Sequence, residues 1–214
     1  MIVTKPVVIT ENELKKLAMK AKGKISHIFL HWTAGNYGQP YDDYHLCIDK
    51  NGQVYVHCKD LTELKEHTWL RNHGAVAISL CCGNEGCCWL PDNCNVQTSK
   101  AEYVGSHNYE PDAALIQFGT APPTTAQIEA MAKLTAILCN GLGMPITKDY
   151  VMTHCEIAFR DGYGPGSNDP YMRWDLWFLP DAMQNGLLIP GGALIRGKAI
   201  FYQELMKCQP KLAA

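Results

Sequence analysis

Two histidines stand where strand ends gather chemistry. His31 closes the apolar run Ile28-Phe29-Leu30, and His154 closes Tyr150-Val151-Met152-Thr153. A run of this kind delivers its last side chain to the end of a strand, where binding and catalytic groups are usually built. Imidazoles there suit a catalytic metal such as zinc, which takes three protein ligands, commonly His with a carboxylate or Cys, and keeps a fourth position open. The chain has eight histidines, and a single one is more often a surface or hydrogen-bonded core residue than a ligand. The pair gains weight only from the residues around it.

The elements that carry these residues are readable from periodicity. Glu11 to Lys22 has Leu14, Leu17, Ala18 and Ala21 at helical spacing, with Thr10 and Glu13 as a capping box and Gly23 as a stop, which predicts a short amphipathic helix. Ile25 to His31 predicts a strand that breaks at Trp32-Thr33-Ala34-Gly35 into a loop. Tyr44 to Asp49 and Gln53 to His57 flank Lys50-Asn51-Gly52, a hairpin turn signal. Ala75 to Cys82 is apolar except for Ser79 and predicts a strand buried on both faces. Thr125 to Leu142 carries Ile128, Met131, Ala132, Leu134, Thr135 and Leu138 on one face, a core helix before the short strand Tyr150 to Thr153.

Strands interleaved with helices at these intervals predict an α/β fold with a mixed central sheet flanked by helices. At 214 residues, 47% hydrophobic and 19% charged, the chain is expected to form one domain over 1–214. Its core runs over about 25–180, with a Cys-, Gly-, Asn- and Pro-rich insertion over about 83–112 and a C-terminal extension over about 181–214. A net charge of -2 without a Lys/Arg block argues against nucleic acid as a partner. No apolar run reaches the roughly 18 residues of a membrane span, and Met1 to Thr10 lacks a signal-peptide layout. The expectation is a soluble monomer without stable membrane insertion. Ten cysteines include the adjacent pairs Cys81-Cys82 and Cys87-Cys88 and the nearby Cys94; disulfides, a structural metal and buried thiols all fit them.

His31-Trp32-Thr33-Ala34-Gly35, Tyr44-His45 before the Asn51-Gly52 turn, His67 and Asn72 before Val76-Ala77-Ile78-Ser79-Leu80, and Thr153-His154 follow one another in an order that resembles the peptidoglycan amidase family. That family includes amidase-type phage lysozymes, anhydromuropeptide amidases and animal peptidoglycan recognition proteins. The resemblance covers roughly Ile25 to Leu179. It implies Zn²⁺ as cofactor, peptidoglycan or muropeptides as substrate, and hydrolysis of the amide between N-acetylmuramic acid and L-alanine. It makes His31 and His154 metal ligands, with Asp175 as the third ligand in Arg173-Trp174-Asp175 and Arg173 as the group that stabilises the oxyanion. Asp169 and Cys155 compete for the third place, although Cys155 follows its His directly and on a strand would point the other way.

The resemblance further implies substrate contacts from Trp32, His67 and Asn72, where the plainer role of His67 and Asn72 is to stabilise a loop before a buried strand. Some relatives place a Glu in the central strand where Ser79 stands, which leaves Tyr44 as the candidate for proton transfer and Glu156 as its reserve. Tyr44 reads equally well as a strand aromatic, and Glu156 as a hydrogen-bonding neighbour of the metal. Other members of the family have lost a ligand and only bind peptidoglycan, so a recognition module is the alternative to an enzyme. A wall-cutting enzyme made in the bacterial cytoplasm without a signal reaches its substrate by phage-type release or specialised secretion, or works in wall recycling.

Overall fold

The computed structural model describes residues 1–89, 115–161 and 175–208. Its centre is a six-stranded mixed sheet. The strands are β1 (Val7–Val8), β2 (His27–Trp32), β3 (Leu46–Ile48), β4 (Val54–Val56), β5 (Ala75–Leu80) and, much later in the chain, β8 (Val151–Thr153). They lie in the order β1-β4-β3-β5-β2-β8. β8, β2, β5 and β3 run parallel, and β4 and β1 add antiparallel pairs at one edge. This is the α/β architecture with a mixed sheet that the sequence predicts.

All six residues of β5 are buried, as a strand in the middle of a sheet covered on both faces requires. Side chains alternate across such a strand. Ile28, Leu30 and Trp32 of β2 and Val76, Ile78 and Leu80 of β5 enter the main core. Phe29 and Ala75 turn to the other face, where they meet Met152 and Ile157 in a smaller cluster. His31 has the parity of Phe29 and shares that second face.

The main core is roofed by α1 (Glu11–Lys20) and α2 (Thr125–Leu142). Both start on reciprocal capping boxes. The Glu13 amide donates to Thr10 Oγ1 at 3.3 Å while the Thr10 amide donates to the Glu13 carboxylate at 2.8 Å; Thr124 and Gln127 repeat the pattern at 3.1 and 3.0 Å. Gln127 does more, because its buried Nε2 donates to the carbonyls of Ile48 at 3.0 Å and Cys81 at 3.1 Å. The start of α2 is thus pinned to the ends of β3 and β5.

The hairpin between β3 and β4 turns over Asp49 to Gly52, whose amide donates to the Asp49 carbonyl at 2.8 Å. Only Gly52 takes a positive φ, 82°, and Asn51 does not. Asn-Gly therefore makes a turn with one left-handed residue rather than a two-residue turn with both central φ positive.

Two small hairpins accompany the sheet. β6 (Cys87–Trp89) pairs with β7 (Leu115–Gln117), and β9 (Phe178–Asp181) pairs with β10 (Leu187–Pro190). Most of the cysteine-rich insertion, with Cys94, lies outside the described residues. α3 (His154–Asp161) follows β8 without a break, and α4 (Gly191–Cys208) closes the described chain. The described part of the segment that the sequence sets apart as a C-terminal extension packs into the core. α4 packs along α2 and buries Leu194, Ile195 and Ala199 in the same cluster as the sheet. Glu129 of α2 holds it there, accepting from Lys198 Nζ and Tyr202 Oη, each at 2.7 Å. No described helix is long and apolar enough to cross a membrane.

Candidate metal centre

The centre lies at the carboxyl ends of neighbouring parallel strands, the usual place for a site in an open α/β sheet. β2 presents His31 one residue before its end, and β8 hands over directly to α3, whose first residue is His154. His154 is thus a helix-initiating residue, directly after the strand that the periodicity places over Tyr150 to Thr153. The turn into α3 is made by Thr153 and Glu156: the Glu156 amide donates to Thr153 Oγ1 at 3.2 Å and the Thr153 amide donates to Glu156 Oε2 at 3.0 Å. This third capping box fixes the start of α3 at His154.

Asp175 arrives from a distant part of the chain and is tied to the same turn. The Cys155 amide donates to its backbone carbonyl at 3.2 Å. Its carboxylate oxygen Oδ2 lies 3.2 Å from His31 Nδ1 and 3.4 Å from His154 Nδ1. One ligand atom from each of the three residues falls within 4.8 Å of the others. His31 is fully buried, and Asp175 is 2% exposed. Cys155 contributes through its backbone, while its side chain is buried in the main core. Asp169 and Arg173 lie outside the described residues.

The electrostatics suit a cation. Burial drives the His31 imidazole down to about 4, so it is neutral at physiological pH. Burial works to raise the Asp175 carboxyl, but hydrogen bonds from His154 and His31 outweigh it and hold the group at about 2. A neutral imidazole beside an ionised carboxylate is the protonation state that metal ligands need. Asp175 Oδ1 is buried without a hydrogen-bond partner among the described residues. A buried, half-satisfied carboxylate is costly unless a cation completes it. The His-His-Asp donor set is also one that zinc accepts.

The other predicted residues divide into two groups. Tyr44 stands beside the centre, its ring 5.2 Å from that of His31 and its hydroxyl donating to the Trp32 carbonyl at 3.4 Å. The His67 ring is 5.3 Å from that of His31. Asn72 does not face the cluster through its Oδ1, which accepts the amides of His67 at 3.2 Å and Thr68 at 2.8 Å and so shapes their turn. Arg71 fastens this turn to the far end of α3 with paired bonds to Asp161 at 2.8 and 2.5 Å.

Trp32 and Glu156 are placed elsewhere. Trp32 is 3% exposed, packs edge-on against Phe118 and belongs to the main core, because its neighbour His31 takes the opposite face. Its position is that of a packing residue rather than a substrate contact. Both carboxylate oxygens of Glu156 are engaged by Arg196 of α4, each at 2.8 Å, in addition to the Thr153 amide. With three donors on it, this carboxylate works as a structural clamp between α3 and α4. Ser79, the register partner of His31, is buried with an Oγ that has no partner among the described residues.

Thr68 was not singled out by sequence reasoning. Its Oγ1 lies 3.3 Å from His31 Nε2 and 2.9 Å from His67 Nδ1. The available signal was its place next to His67 in a turn closed by Asn72.

His45 is a core histidine with both nitrogens satisfied. Nε2–H donates to the Glu63 carbonyl at 2.8 Å and Nδ1 accepts the Ala77 amide at 3.0 Å. A proton on Nδ1 would break the second bond, and burial already pushes the group down to about 4. Its folded pKa lies below the unfolded value, so its stabilisation is complete above pH 6.5 and is lost as the pH falls through 4. The metal-free protein is expected to lose on the order of 3 kcal/mol from this residue over that window. Thermal melts between pH 7 and pH 4.5 check this, and a flat profile contradicts it.

The fold and the cluster together define an α/β protein with a His-His-Asp candidate metal site. Its sequence matches the model of the N-acetylmuramoyl-L-alanine amidase family over residues 21–171, and the chain belongs to that family. Its activity is that of an amidase, with peptidoglycan as the substrate class. No curated protein matches the chain.

Proposed function

We propose that the chain is a zinc-dependent hydrolase that cuts the amide between the lactyl group of N-acetylmuramic acid and L-alanine in peptidoglycan. The observation that carries this reading is the convergence of His31, His154 and Asp175, with both Nδ1 atoms against Asp175 Oδ2, in a member of an amidase family. These three residues would hold the zinc. When bound, zinc supplies Lewis acidity, bringing the pKa of water towards about 7 and polarising a carbonyl.

The chain's own groups do the rest. Arg173, two residues before Asp175, stabilises charge on the lactyl carbonyl oxygen, a contribution on the order of 3 kcal/mol to the barrier. Tyr44 moves the proton that the leaving amine needs; its place beside His31 supports this role. His67 contacts the muropeptide, and Asn72 holds the turn on which His67 sits. Glu156 keeps α3, and with it His154, in place. The enzyme reaches the wall by phage-type release or specialised secretion and works as a monomer.

The test is direct. The purified chain, loaded with one equivalent of zinc, is expected to release stem peptides beginning with L-alanine from disaccharide muropeptides, as read by mass spectrometry. Chelation stops release and added zinc restores it. A protein that binds zinc and muropeptides but leaves them intact is a recognition module, and the hydrolytic reading is then wrong.

A further inference from the structure

Thr68 stands between two histidines, and its single hydroxyl proton ties their states together. Its Oγ1 is 3.3 Å from Nε2 of His31 and 2.9 Å from Nδ1 of His67. All three residues are buried. The backbone that carries the hydroxyl is held in place: the Thr68 and His67 amides both donate to Asn72 Oδ1, and Arg71 anchors the turn to α3.

We propose that Thr68 is the positioning residue of the metal centre, orienting His31 through Nε2 and setting the tautomer of His67. The proposal rests on the reading of His31 as a ligand. In the metal-free protein His31 Nδ1 faces Asp175 Oδ2; once a metal takes Nδ1, a neutral His31 carries its proton on Nε2. That N–H has Thr68 Oγ1 as its acceptor. Having accepted from His31, the hydroxyl directs its own proton to His67 Nδ1, which accepts it. His67 is then protonated at Nε2. This nitrogen is buried and has no partner among the described residues, so the order of the relay makes it a donor in need of an acceptor oxygen. A metal ligand whose second nitrogen is held this way is fixed in both tautomer and ring orientation.

The test compares wild type, Thr68→Val and Thr68→Ser. Zinc affinity is measured by competition with a chromogenic chelator, and the ring nitrogens of the zinc-loaded protein by ¹⁵N-edited NMR. Thr68→Val, which keeps the shape and loses the hydroxyl, is expected to weaken zinc binding about 10- to 100-fold. Thr68→Ser should restore it to within about threefold of wild type, an outcome that a packing role for the threonine methyl would not give. Wild-type His67 is expected as the Nε2–H tautomer, a measurement that holds even if the valine variant does not fold. Equal zinc affinity in wild type and Thr68→Val, or an Nδ1–H tautomer at His67, overturns the role of Thr68 alone. A wild type that binds no zinc overturns the metal reading and this inference with it.

Discussion

Asp175→Ala is expected to remove zinc from the protein and to lower stem-peptide release by more than about 100-fold, while leaving a folded chain. The expected size follows from comparison with residues that only support a ligand, whose loss already costs about 10- to 100-fold. Asp175 contributes the charge of the set: it lies against both histidines through Oδ2, and burial would protonate it but for their hydrogen bonds. Asp175→Asn separates charge from shape. The amide fills the same space and is expected to fail nearly as badly, because a neutral oxygen cannot offset the cation. Zinc content by mass spectrometry and activity on muropeptides are the two readouts. Full occupancy and full activity in either variant would remove Asp175 from the ligand set and return attention to Asp169.

Arg196→Ala is expected to destabilise the protein by about 3–5 kcal/mol, the cost of leaving a buried carboxylate without its partner. For a chain of this length the melting temperature should fall by roughly 10 °C. The pair is well sheltered, with side-chain exposures of 13% and 9%. Glu156 also closes the capping box at the start of α3, so its displacement loosens His154 as well. The arrangement depends on Gly192: a Cβ there would lie 2.4 Å from Glu156 Oε2, inside contact distance. Arg196→Lys, which keeps the charge but loses the bidentate fork, should recover only part of the loss. A melt of Arg196→Ala that stays within about 2 °C of wild type would show that the clamp is dispensable.

Much of this was legible in the residues. The boxes at Thr10-Glu13 and Thr124-Gln127 mark helix starts because each side chain finds its backbone partner three residues away, a local matter. The run Ala75 to Cys82 reads as a central strand because nothing in it wants water except Ser79. The same local rules, applied further, would have found the Thr153-Glu156 box and placed Trp32 on the face opposite His31. What sequence does not carry is partnership across long separations. Arg196 meets Glu156 forty residues earlier in the chain, and no periodicity announces that pairing. Thr68 is equally silent, since its importance comes from a distance to His31 that only the packed turn creates. The residues after 181 lack a motif, so α4 reads as an appendage until its apolar face is seen against α2.

The tie between α3 and α4 bears on what counts as a portable unit. The family match stops at residue 171, short of both Asp175 and Arg196. A fragment cut at that border would keep the two histidines, lose the carboxylate between them, and leave Glu156 buried with no counter-ion. The piece that can be transplanted, fused or circularly rearranged as a working whole therefore extends through the last described helix, and its true boundary is electrostatic rather than one of sequence likeness.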